Sequence, residues 1–176
     1  LLSATVNNLS KSIAFVFLAA IVLQSFHMLE HVVQIHQHAI LGWSIQDSSG
    51  LFAVLNLEEI HWFYNAGYLI LLAIVFKKCS FLKIYNRPNP HKVFVLLFNL
   101  SFFLQGYHVV EHSVRMVQYL QTQCVPCPGI LGPFVDGVYL HFTLNFLVFI
   151  YPLAAFFVLG FHKKIISKIL KQQSTV

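Results

Sequence analysis

Four long apolar stretches, separated by polar segments, set the pattern of this chain. Over 12–35 the residues are mostly Val, Leu, Ile, Phe and Ala, interrupted by a polar cluster at 24–34. A membrane crossing needs about 20 such residues, so 12–35 is the first predicted helix. The segment 1–10, with Ser3, Asn7, Asn8 and Ser10, reads as a short interfacial lead. A loop over 36–57 follows, holding His36, His38, Gly42, Asp47 and Gly50, with a short interfacial helix expected at 51–55. The second helix is predicted at 58–76. A basic loop at 77–92 carries Pro88 and Pro90, which break the pattern. The third helix is predicted at 93–119, a loop at 120–135, the fourth helix at 136–161, and a basic tail after it.

The apolar pattern repeats. A shift of 81 positions places Leu23 on Leu104, Gln24 on Gln105, His27 on His108, Glu30 on Glu111 and His31 on His112. Val33 and Gln37 then fall on Val114 and Gln118. A shift of 80 places His61 on His141 and Asn65 on Asn145, so one gap in the first loop accounts for the change. The expected fold is an all-α integral membrane protein, a single membrane domain of four transmembrane helices. It forms two parallel helix-hairpin repeats, 12–77 and 93–162, about a pseudo-two-fold axis along the membrane normal.

Composition supports the membrane reading. The chain is 57% hydrophobic and 10% charged, with mean hydropathy +0.71. Soluble domains carry about 25% charged residues. The net charge of +5 is not a nucleic-acid signal, because its placement follows membrane sidedness. Lys77, Lys78, Lys83, Arg87 and Lys92 share one loop region, and Lys163, Lys164, Lys168 and Lys171 share the tail. The six acids, Glu30, Asp47, Glu58, Glu59, Glu111 and Asp136, all fall elsewhere. Both termini are therefore expected on the cytoplasmic side, with loops 36–57 and 120–135 towards the exterior or periplasm. The first residue is Leu, so the start is read as processed or truncated. The first apolar run is long enough to span and does not read as a signal peptide.

The candidate chemistry lies in the duplicated stretch, Leu-Gln-x-aromatic-His-x-x-Glu-His. At roughly 100° per residue, Gln24, His27, Glu30, His31 and Gln34 fall within an arc about 120° wide. Gln105, His108, Glu111, His112 and Arg115 do the same. His61, Asn65 and Tyr68 share a face of the second helix, with Glu58 within about 60° of it; His141 and Asn145 share a face of the fourth. Counting residues from each helix start places these groups in one layer, in the outer half of the bundle.

Imidazole suits Zn, Cu, Fe and Ni, and facing bundle helices are a known way to build two-metal carboxylate sites. The expected ligands are His27, Glu30, His31, His61, His108, Glu111, His112 and His141, holding two transition-metal ions (Fe, Cu or Zn). Glu30 and Glu111 are bridging or terminal ligands and candidate catalytic proton acceptors. Gln24, Gln34, Asn65, Gln105, Arg115 and Asn145 are expected to orient the imidazoles. The functional expectation is a membrane oxidoreductase doing redox or oxygen chemistry on a lipophilic substrate.

Alternatives are a haem b or metal-binding accessory subunit of a larger membrane complex, and a metal-ion transporter. Transport fits poorly with the wholly apolar inner halves at 13–22, 69–76, 93–98 and 153–159. Haem leaves both Glu residues unexplained. His-x-x-Glu-His also matches an inverted zinc-protease motif, but duplication asks for two equivalent sites. The plainest competitor is a Glu–His hydrogen-bond network. His36 and His38 read as interfacial loop residues, His91 and His162 as surface anchors, and Cys79 as a free thiol. Cys124 and Cys127 form a C-x-x-C read as a loop disulfide. The lipid bilayer is the expected partner, with other membrane subunits possible; nucleic acid is not expected.

Overall fold

A computed structural model describes residues 2–52, 57–81 and 89–173, and side chains within 12–52, 57–78, 92–167 and 169–170. Among the described residues there are five α-helices and no strand: α1 Leu2–Ile35, α2 Glu58–Phe81, α3 Asn89–Thr122, α4 Gly137–Val158 and α5 Phe161–Gln173. Helix α1 packs on α2 and α4, and α3 packs on α2 and α4, so the first four close into a bundle. Late residues of α1 and α3 meet early residues of α2 and α4, as in the bonds Gln24–Asn145 and Gln105–Asn65. The neighbours are therefore antiparallel. Four segments are long and apolar enough to cross a membrane: Ser12–Ile40, Glu58–Lys78, Lys92–Thr122 and Gly137–Val158.

The helices run further than the apolar pattern alone predicts. Polar residues without a breaker do not end a helix, so α1 takes in the expected lead from Leu2. It continues through a π-helical turn, His36–Ile40, until Gly42 at φ +71°. The third helix begins earlier than predicted, at Asn89. Pro90 sits in its first turn, where the missing N–H has no helical acceptor to lose. It ends at Gln123, whose φ is +57°. The fourth helix is shorter than predicted, because Gly160 at φ +76° closes it in the left-handed cap position. What was expected as a tail is α5. The helix expected at 51–55 falls largely on 53–56, outside the described residues; Leu51 and Phe52 are not helical. The side chains of Cys79 and His91 also lie outside.

Two layers fill the interior. The one near Gly160 is apolar: Phe17 of α1 meets Phe98 of α3, Phe156 of α4 and Phe161 of α5 edge-on at 5.2–5.5 Å. Leu72, Val75, Val95 and Val148 extend it. Pro152 is buried inside α4, and having no N–H it leaves the carbonyl of Val148 without its helical donor. The hydroxyl of Tyr68, on α2, donates to that carbonyl at 2.7 Å. The second layer, towards residues 41–52 and 123–136, is polar and carries the histidines. The outer surface reverses soluble patterning: Phe26, Phe63 and Phe103 are 65–69% exposed while Gln24, Glu30 and His108 are buried.

Candidate metal centre

The polar layer rests on a floor of amides. Gln24 Nε2 donates to Asn145 Oδ1 at 2.9 Å, and Gln105 Nε2 donates to Asn65 Oδ1 at 3.0 Å. Asn65 Nδ2 and Asn145 Nδ2 each donate to a carbonyl one turn back, of His61 and of His141. These four residues, expected to orient imidazoles, instead join helix to helix beneath them. Helical spacing explains this: Gln24 and Gln105 lie one turn before His27 and His108, level with the amides of the facing helices.

Above the floor, six imidazoles gather in two groups. His27, His31 and His61 offer ring nitrogens within 4.8 Å of one another, and so do His108, His112 and His141. Each group contains two residues one turn apart on one helix. Their Nε2 atoms face each other, at 3.2 Å for His27–His31 and 3.1 Å for His108–His112. The groups abut: His61 stacks on His112 with centroids 5.2 Å apart, and His31 on His141 at 6.2 Å.

The donor set fits a small cation. With metal–nitrogen bonds of about 2.0–2.1 Å, two ligands of a tetrahedral ion stand about 3.3 Å apart. The two Nε2 pairs have nearly that spacing. Nitrogens presented to an ion through Nε2 carry their proton on Nδ1, and His31 Nδ1 lies 2.7 Å from Gln34 Oε1, its acceptor in that tautomer. His112 Nδ1 is 3.8 Å from Glu58 Oε2 and has no hydrogen-bond partner; His108 Nδ1 has none either. Three ligands leave a coordination position open. Between the groups lies a cavity of about 50 Å³, lined by His31, His61, His112 and His141, with Gln34, Ser48, Arg115 and Pro126 around it. By the same measure one water fills about 10–15 Å³, so there is room for a few atoms beside the imidazoles.

Of the eight expected ligands, Glu30 and Glu111 stand apart from both groups. Glu30 accepts the backbone N–H groups of Leu51 and Phe52 at 3.1 and 3.2 Å. Glu111 accepts those of Ile130 and Leu131 at 2.9 and 3.4 Å, and the Tyr107 hydroxyl at 3.1 Å. The cause lies in the loops. Gly50 and Gly129 have φ of +79° and +70°, and a Cβ on either would collide with the neighbouring carboxylate. Gln37 grips Gly50, and Gln118 grips Gly129, each through one N–H and one carbonyl. The carboxylates are thus loop anchors. Gln37 and Gln118 were visible in the sequence as matching positions, with no sign of their task.

Other partners escaped the sequence reading. Glu58 pairs with Arg115 Nη2 at 2.8 Å. Arg115 Nη1 lies 2.8 Å from His141 Nε2 and 3.1 Å from its Nδ1. Tyr64 stacks on His27 at 4.5 Å and donates to the carbonyl of Leu23. Glu58 was within reach of a sequence signal, since it shares an edge of the His61 face. Outside the layer, His38 bridges the carbonyl of Trp43 and the carboxylate of Asp136, the residue that caps α4. His36 is exposed. Cys124 and Cys127 are joined in a disulfide.

No family model matches the chain, and neither does any curated protein or solved structure.

Proposed function

We propose that this is an integral membrane protein holding two transition-metal ions on two tri-histidine sites, His27–His31–His61 and His108–His112–His141. The observation that carries it is the pair of buried imidazole triads, each with an Nε2–Nε2 edge of coordination length. Six imidazoles gathered in a buried layer of an apolar bundle are expensive to keep unless something binds them. The bonds that recur on α1 and α3, from amide floor to loop anchor, support two parallel helix-hairpin repeats. The exposed Phe, Leu and Val on every helix support insertion in lipid. The placement of the lysines supports a reading with both termini in the cytoplasm and the metal layer towards the exterior or periplasm.

With the carboxylates engaged elsewhere, each ion has nitrogen donors alone, which favours Cu or Zn and weakens the case for Fe. An ion with a vacant position supplies Lewis-acid or electron-transfer chemistry. The chain's own part is to fix the imidazoles. A second cavity of about 70 Å³, lined by Leu57, Tyr119, Val125 and Pro126, shares Glu58 and Arg115 with the first. Its apolar wall suits a lipophilic substrate, so redox chemistry on such a substrate is the activity we infer. A haem fits less well. Sites for drug-sized ligands occupy about 300–1,000 Å³, whereas the imidazoles here stack on one another around about 50 Å³. The apolar layer around Phe17 leaves no polar path for ion transport.

Metal analysis of the detergent-purified protein tests the proposal. Two equivalents of transition metal are expected, falling to one in H31A and in H112A. Protein carrying no metal, and taking up none after exposure to Cu or Zn, would leave only a hydrogen-bond network.

A further inference from the structure

The two triads use histidines at matching positions, yet their borders differ at two positions. On α1, Gln34 stands three residues after His31 and lies 2.7 Å from its Nδ1. On α3, Arg115 stands three residues after His112 but leaves His112 Nδ1 without a hydrogen-bond partner. It reaches across the bundle instead, to Glu58 on α2 and to His141 on α4. Glu58 stands three residues before His61; the residue three before His141 is Val138. The first hairpin has Gln34 and Glu58 and the second has Arg115 and Val138, so the two charges come from different hairpins and pair across the bundle.

This difference changes what the second triad can bind. A cation on His141 Nε2 needs the lone pair of that nitrogen. In the structure an Arg115 N–H donor stands 2.8 Å from it. A metal ion and a guanidinium cannot share that position, because like charges at such a distance repel strongly in a buried site. Arg115 is buried, at 8% exposure, so the donors it would withdraw from His141 need another acceptor. Glu58 satisfies one side only. The metal has a matching need: neutral imidazoles leave its charge uncompensated, and buried charge is costly. One small anion in the cavity of about 50 Å³ meets both needs, bonded to the ion and accepting from Arg115.

We propose that the triads are unequal sites. His27–His31–His61 binds its ion unaided. His108–His112–His141 binds its ion together with a small monoanion, of hydroxide, halide or pseudohalide size, held by Arg115 in the shared cavity. This rests on the reading of the triads as metal sites. Arg115 is then a positioning residue for the anion, and Glu58 keeps it oriented.

The test is a calorimetric and spectroscopic titration of metal-stripped protein with Co²⁺, with and without azide. Wild type is expected to bind in two steps. Azide should leave the first unchanged and tighten the second about tenfold or more, within the usual range of coupling between bound ligands. An azide-dependent change in the Co²⁺ spectrum should appear only with the second equivalent. The E58Q/R115Q double variant removes both charges and leaves neither buried alone. It should lose the azide effect and bring the two steps to similar affinity, with helix content by circular dichroism as a folding control. Two equal steps in wild type, or an azide effect shared by both, would overturn the inequality even if the variant failed to fold. An azide effect that survives in the folded variant would overturn the role of Arg115. No uptake of Co²⁺ at all would instead overturn the metal-site reading beneath it.

Discussion

Two imidazole nitrogens held 3.1–3.2 Å apart inside an apolar bundle need either a shared proton or a shared cation between them. Which one prevails depends on the far side of each ring. At His31 the Nδ1 is matched to Gln34 Oε1, which selects the tautomer with Nε2 free for an ion. Gln34→Leu removes that acceptor and puts an apolar side chain of similar size in its place. It should weaken metal binding at the first triad about 10–100-fold, as loss of such outer partners does. Competition with a chelator of known affinity would measure it, and the second triad should be unaffected. Equal weakening at both would mean that Gln34 acts on the bundle as a whole. The sequence placed Gln34 on the same face as His31; the acceptor role needed a side-chain rotamer that spacing does not specify.

At the scale of elements, the polar layer is a joint between helices and loops. Glu30 and Glu111 lie one turn from the metal-capable nitrogens, yet each faces a loop that folds back over the bundle end. Hydrogen bonds to a charged group contribute roughly 1.5–3 kcal/mol each, so each carboxylate is a substantial clasp. Glu30→Gln and Glu111→Gln keep the shape but weaken the acceptors. Faster amide exchange is expected at Leu51–Phe52 in the first variant and at Ile130–Leu131 in the second. Metal content should stay at its wild-type level in both. Loss of metal with unchanged exchange would restore the carboxylates to the ligand set. The same geometry explains why Gly50 and Gly129 stand where they do: the backbone must pass close to a carboxylate with positive φ.

At the scale of the molecule, stability has two sources of different kinds. The apolar layer around Phe17, Leu72 and Phe156 is complete in the protein alone. The histidine layer has an open demand, since the Nε2 atoms of His27 and His31, and of His108 and His112, face each other at 3.2 and 3.1 Å, and an ion would join each pair. Ligand that binds only the folded state adds about 2.7 kcal/mol at 100 times its Kd. Saturating metal should therefore raise the thermal midpoint of the detergent-solubilised protein, and chelation should lower it again. Under the unequal-site proposal, azide should add a further rise only when metal is present. A midpoint indifferent to metal would show that the layer is already satisfied as it stands.

The four helices, the polar layer and its six histidines were all legible in the residue order. They depend on helix length and on spacing of three and four residues, which are local properties of one chain segment. Periodicity gives the direction of a side chain around its own helix axis. It says nothing about which backbone arrives from elsewhere to meet it. Glu30 and His31 lie at opposite edges of the same arc, and the packing alone sends one to a loop and the other to the bundle axis. For the same reason Arg115 could be placed on the histidine face but not paired. Its guanidinium passes His112, on its own helix, and joins Glu58 and His141 on the two neighbours. Matching positions in the sequence led to the expectation of two alike sites; the contacts across the bundle make their surroundings different.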